Sequence, residues 1–290
     1  MARAFRLGLM VIGLLGATWG CAHRPVERRP RLRIAILPEY SLHLVSQRYH
    51  PLLEHLEREM GARVEWISAS TWEGYPAAVE RQRPHFAWQD AYLTSLLVKA
   101  QGARPLLQAL VSPGQGEEKG LVVVRQGSPL ATLRGLRGRR VAVPSRRAFL
   151  SGLAQADLCR KEGIEPGRDF LYVVTGRTDR ALLWVLEGKA DAAFVRASAL
   201  EWLPSDIGRE SLRTLAETQP FPSDFLVAFP HTPPEWVAKV QEILTTLDPT
   251  NPTHAELLRS LGIAGFVPVE QPSLLLATVQ NILDRLLWPL

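Results

Sequence analysis

The sequence predicts an α/β protein assembled from βαβ units. Between Leu133 and Trp202 three short apolar runs, residues 141–143, 171–174 and 192–195, alternate with two helical patterns. The first pattern covers roughly residues 149–162 and stops at Gly163; the second starts near Thr178 and stops at Gly188. Strands alternating with helices of this length imply crossover connections and a parallel sheet. In such a sheet a ligand sits beyond the carboxyl ends of the strands, against helix N-termini. Residues 144–147 (Pro-Ser-Arg-Arg) and 175–178 (Thr-Gly-Arg-Thr) fall at that edge.

The elements follow in order. Residues 32–37 form a first strand that breaks at Pro38-Glu39-Tyr40. Leu44, Tyr49, Leu52, Leu53 and Leu56 keep helical spacing up to Gly61, and residues 64–67 give the second strand. A helix over about 71–82 follows, which Thr71 could cap, then a short strand at the His85–Tyr92 stretch. Residues 104–111 and 120–125 read as strands on either side of a polar, Gly-containing break, where the chain first crosses between lobes. Past the central units, residues 212–217 and 224–229 are strands, and Gln219-Pro220-Phe221-Pro222 is a rigid link expected to carry the return crossing. A helix over 235–247 starts with proline near its first turn. A last helix over 273–287 has an apolar stripe through Leu276, Val279, Ile282, Leu283 and Leu286, expected to pack on the first lobe.

The totals exclude several classes. The chain has 290 residues, 46% hydrophobic and 22% charged, the balance of a globular protein of one large domain or two lobes. A net charge of +5 is too small and scattered to argue nucleic-acid binding. Seven His and two Cys show no metal-type spacing, and there is no phosphate loop, dinucleotide fingerprint or nucleophile elbow, so no cofactor, metal or catalytic residue is expected. The start is more telling. Arg3 and Arg6, an apolar run over residues 7–15 and small residues lead to Cys21, the layout of a secretory signal. The run is too short for a transmembrane helix. Residues 21–30 read as a polar tether. Cys159 lies in an apolar helix and reads as a buried small hydrophobe.

The stretches "LRGLRGRRVAV", "KEGIEPGRDF" and "TGRTDRALLWVLEGKADAAFV" resemble, in order and spacing, the periplasmic phosphonate- and phosphite-binding proteins of ABC importers. The likeness extends to Tyr49, Pro51, Leu52, Leu56, Glu57, Gly61 and Val64 near the start and to "LGIAGFVPV" near the end. The resemblance implies a type II periplasmic-binding-protein fold: two α/β lobes, residues 31–115 with 219–290 and residues 116–218, joined by two hinge crossings. It implies capture of a small oxyanion (phosphate, phosphite or phosphonate) for an ABC permease by a monomer. Cys21 resembles the lipidated cysteine of a bacterial lipobox, with residues 1–20 as the signal and the lipid as membrane anchor; a disulfide between Cys21 and Cys159 is the alternative. A ligand-sensing lipoprotein of the same fold, acting with a membrane receptor or kinase, is the alternative function. An enzyme on this fold would need a reactive group in the cleft, with His85 and His43 the nearest candidates.

The same resemblance nominates the binding residues. Tyr92 stands at the family's contacting aromatic, with Trp88 and Tyr40 as further pocket candidates. The second-lobe loop, rich in Ser and Thr in the family, retains Ser145 and Ser151 but carries Phe149 and Leu150 where small donors are usual. Two readings stand: Arg146 or Arg147 replaces the lost donors and clamps an anion, or both are solvated and the ligand is no phosphonate. Thr178 reads as a helix cap or a ligand contact. Arg196 stands where some members carry an acid that receives a ligand amine, which favours an anionic tail unless Arg196 is a surface residue.

Overall fold

The computed structural model describes residues 29–202 and 209–287; the expected signal segment and Cys21 lie outside them. The chain begins with β1 (Arg31–Ile36), α1 (Leu42–Met60), β2 (Arg63–Ile67), α2 (Tyr75–Gln82), β3 (Phe86–Gln89), α3 (Ala91–Gln101) and β4 (Arg104–Leu110). It continues with β5 (Glu117–Arg125), β6 (Arg140–Val143), α4 (Ala154–Lys161), β7 (Leu171–Val174), α5 (Thr178–Leu186), β8 (Ala192–Arg196) and β9 (Leu212–Pro222). It returns through β10 (Phe225–Ala228), α6 (Pro234–Thr245), α7 (Pro252–Leu261), β11 (Gly265–Pro268) and α8 (Pro272–Leu287).

Local chemistry sets these boundaries. Ser41 caps α1 by accepting the Leu44 N–H, and Gly61 ends it in the left-handed region. Val45, Tyr49, Leu52 and Leu56 then fall on one buried stripe. Asp90 caps α3 in the same way, accepting the Leu93 N–H at 2.9 Å. The helix expected over 71–82 is shorter, because Thr71 Oγ1 accepts the Gly74 N–H in a turn that delays α2 to Tyr75.

The strands form two sheets, ordered β11-β4-β10-β3-β1-β2 and β7-β6-β8-β5-β9. The βαβ pairs β1/β2, β1/β3, β6/β7 and β6/β8 are parallel, as expected. The strands bordering the crossings are antiparallel to their neighbours: β5 to β8, and β10 to β3 and β4. A chain arriving from the other sheet enters running the opposite way, so the sheets are mixed rather than parallel throughout. Central strands are covered on both faces, as such sheets require. In β1, Leu32, Ile34 and Ile36 join one apolar cluster, while Ala35 joins another.

The chain passes between sheets from β4 to β5 and from β9 to β10. β5 and β9 pair side by side, from Glu117 opposite Pro222 to Arg125 opposite Leu212. Residues 219–222 therefore end β9, and the expected lobe boundary at 219 lies within this strand. Next to them, Ser223 donates its N–H to Gly116 O (3.0 Å) and its hydroxyl to Ala109 O (2.6 Å). α8 lies against both α3 and α4 rather than one lobe alone. Val279 and Leu283 share a cluster with Ala91 of α3 and with Leu150, Leu153 and Ala154.

Candidate binding site in the interlobe cleft

The facing edges of the sheets carry the groups a cleft needs. Glu39 follows β1, Asp90 follows β3 and Asp224 precedes β10, all at one edge of the first sheet. Ser145 follows β6, Thr175 follows β7, Arg196 ends β8 and Glu118 lies near the start of β5, all at the opposing edge of the second.

The edges meet through direct bonds. Asp90 uses one carboxylate oxygen to cap α3 and the other to accept the backbone N–H of Phe149 at 2.8 Å. Phe149 opens a π-type turn over residues 149–153 that runs into α4, so its N–H points out of a helix start. Burial pushes the Asp90 carboxyl up to about 7, against the lowering effect of the two N–H donors. Thr178 N–H reaches Glu39 O at 2.8 Å, and Ser41 N–H reaches Asp179 Oδ2 at 3.3 Å. Gly176, with φ +79°, brings its loop close enough that an added Cβ would lie 3.5 Å from the Thr71 methyl.

Deeper in, three carboxylates converge on one guanidinium. Arg196, 6% exposed, donates Nε and Nη2 to Glu118 Oε2 at 3.0 and 2.8 Å. Its Nη1 bonds Glu39 Oε2 at 2.9 Å and Asp224 at 2.8 and 3.0 Å. Glu118 also accepts the Ser198 N–H at 2.6 Å. Burial works against charge throughout this cluster. It dominates at Glu39, whose carboxyl sits above the usual range despite Arg196. At Glu118 burial is outweighed by the charge of Arg196 and by bonds from Arg196 and Ser198, which hold the carboxyl low. Burial would lower Arg196, but Asp224, Glu118 and Glu39 raise it well above its ordinary value. The difference between the two glutamates follows their bonding, since Glu118 receives two guanidinium N–H groups and a backbone N–H.

The open part of the cleft lies further out. A cavity of about 330 Å³ is lined by Trp72, Tyr92 and Leu96 from the first lobe and by Ser145, Arg146 and Arg147 from the second. Trp72 and Tyr92 stack at 6.0 Å with 27° between planes. Ser145 Oγ accepts the Arg147 N–H at 3.1 Å, Arg146 lies over the Tyr172 ring at 4.9 Å, and both arginine side chains are exposed.

The cavity thus brings together four of the residues nominated from sequence: Tyr92, Ser145, Arg146 and Arg147. Tyr40 and Trp88 are buried in the first lobe's core, Tyr40 beneath Arg48 and Trp88 edge-on to Tyr49 and Phe266. Ser151 is buried in the π-type turn. Thr178 is the first residue of α5, not its cap; Arg177 holds the cap position, and the Thr178 hydroxyl is buried with no hydrogen-bond partner among the described residues. Arg196 is neither at the surface nor open to an anionic tail, since its donors face carboxylates. His85 lies at the far end of β3, its Nδ1 accepting the Arg33 N–H, and His43 is exposed on α1. Sequence reasoning missed Trp72, Asp90, Glu39, Glu118 and Asp224. Only Asp90 carried a local signal, an acid directly before a helix.

Two α/β lobes with two adjacent crossings and a lined cleft define a solute-binding protein of the bilobed kind. The family model described as ABC transporter, phosphonate, periplasmic substrate-binding protein matches residues 34–274, and the chain belongs to this family. Solved structures agree on the fold. A binding-protein component of an ABC phosphonate transporter from Pseudomonas aeruginosa is 15% identical, with a TM-score of 0.80 over 89% of this chain and 88% of that one. PhnD1 from Prochlorococcus marinus, in complex with methylphosphonate, is 16% identical, with a TM-score of 0.78 over 88% of this chain and 98% of that one. A histidine kinase sensor domain with similarity to periplasmic binding proteins is 19% identical, with a TM-score of 0.57 over 82% of this chain and 99% of that one.

Proposed function

We propose that this chain captures a small oxyanion, of the phosphate, phosphite or phosphonate class, in the outer cleft and presents it to an ABC permease. Residues 31–116 with 223–287 act as one lobe and residues 117–222 as the other, the return crossing following the end of β9, and no catalysis accompanies binding. The observation that carries this is the 330 Å³ cavity, lined by Ser145, Arg146 and Arg147 from one lobe and by the Trp72–Tyr92 stack from the other. Guanidinium groups give bidentate, charge-assisted bonds to oxyanions, and the aromatic pair supplies an apolar wall opposite them. Attachment to the membrane through a lipid on Cys21 fits this role.

Thermal-shift and calorimetric titration with phosphate, phosphite and methylphosphonate tests the reading, because a bound ligand raises the melting temperature as its concentration rises. At least one anion binds, and an Arg146→Ala/Arg147→Ala double variant binds it about tenfold or more weakly, the scale of one charge-assisted bond. Equal affinity in the double variant overturns the assignment of the arginines.

A sensor role is the second reading. It is favoured by the ion-paired contacts between the lobes and by the fold shared with a histidine kinase sensor domain. Co-purification with a permease or with a receptor kinase discriminates the two.

A further inference from the structure

The deep cleft is arranged as a binding site is arranged, yet its partners are the chain's own. Three acids from three elements surround one cation: Glu39 after β1, Glu118 on β5 and Asp224 before β10. That is how a protein holds a guanidinium or ammonium ligand. Beside it, a backbone N–H at a helix start faces a carboxylate, Phe149 to Asp90, which is how a protein holds an oxyanion. Both pairs span the lobes: Arg196 and Phe149 belong to the second, Glu39, Asp224 and Asp90 to the first. Phe149 is fully buried and edge-on to Phe221 at 5.5 Å.

We propose that Arg196 and Asp90 are resident substitutes for a bound solute, so the lobes hold together on the chain's own groups and a solute enters only the outer chamber. Arg196 fills the cationic end of the deep cleft and Asp90 the anionic end. Together they fix specificity by exclusion. An aminoalkyl anion long enough to span both ends meets a guanidinium where its ammonium must go, and a carboxylate where its oxyanion must go. A compact anion avoids both by staying between Ser145–Arg147 and the Trp72–Tyr92 wall. The exclusion of solute from the deep cleft stands on the internal pairs; the use of the outer chamber rests on the oxyanion reading above.

Small-angle scattering on the purified protein tests this, with methylphosphonate and methylguanidinium as probes. Wild type has a compact radius of gyration that methylphosphonate leaves unchanged. Arg196→Ala has a larger radius, which methylguanidinium brings back by occupying the vacated carboxylate cluster. A wild-type radius that contracts on adding methylphosphonate overturns the proposal, as does an Arg196→Ala radius equal to wild type. Should circular dichroism find Arg196→Ala unfolded, Asp224→Asn and Asp90→Asn carry the test, since each keeps side-chain volume while weakening one bridge. Their radii exceed wild type; unchanged radii in both overturn the proposal. Thermal shift in the same samples separates the two readings, because an expanded Arg196→Ala with no anion bound by wild type leaves the internal pairing intact and removes the oxyanion function.

Discussion

The Asp90 carboxylate binds the Phe149 N–H at 2.8 Å across the gap between lobes, so a single side chain both caps a helix in one lobe and ties down a helix start in the other. This double duty explains why an acid is buried here at 4% exposure.

Asp90 makes stability depend on pH. Its folded-state value of about 7 lies above its ordinary 3.8, so the folded protein holds the proton more tightly than the unfolded chain. The stability this lends is fully present below 3.8 and is lost as the pH rises to about 7. Asp90→Asn removes the titration. The melting temperature of wild type minus that of Asp90→Asn therefore falls between pH 4 and 7, reflecting at most a few kcal/mol. Parallel profiles would mean that the carboxyl titrates normally.

Glu118→Ala tests the buried cluster within one lobe. It strips Arg196 of two bonds and Ser198 N–H of its acceptor. Removing one member of a buried ion pair costs about 3–5 kcal/mol. Urea denaturation should register that loss, and a change under about 1 kcal/mol, the range of exposed pairs, would count against it.

Gly152→Ala tests the packing behind Ser145 and Arg146, which line the cavity. A Cβ at this position would lie 2.5 Å from Ser145 O and 3.1 Å from Arg146 O, so the loop must move away. Overpacking of this kind costs about 1–3 kcal/mol. Equilibrium unfolding checks the cost, and anion titration checks whether Arg146 and Arg147 have been displaced with it.

Cys159 should be inert. Burial pushes its thiol up to about 12, leaving almost no thiolate at neutral pH. Iodoacetamide at pH 8 leaves the native peptide unmodified, while the denatured chain is alkylated, as read by mass spectrometry of the peptide around residue 159. Native-state labelling would place the thiol at an accessible position.

The periodic parts of this protein were legible and the convergent parts were not. Strands such as 171–174 and 192–195, and helix ends such as Gly61 and Gly188, follow from local spacing and from backbone conformations that glycine reaches cheaply. The chamber residues Ser145 to Arg147 were legible because a loop after a parallel strand must lie at the ligand edge. Glu39, Glu118 and Asp224 were not, because a lone acid at a strand end is indistinguishable from a solvated one until topology gathers three of them. Arg196 drew notice, but its partners lie 28 to 157 residues away in the chain. The extra reach of β9 through Pro222 was hidden by two prolines that read as a link.

The internal bridges also set a tempo. On the proposed pairing the lobes stay tied while a solute enters the outer chamber, so loading waits on no opening step and the observed capture rate should rise in proportion to solute without levelling off. Encounter then governs uptake in dilute and rich surroundings alike.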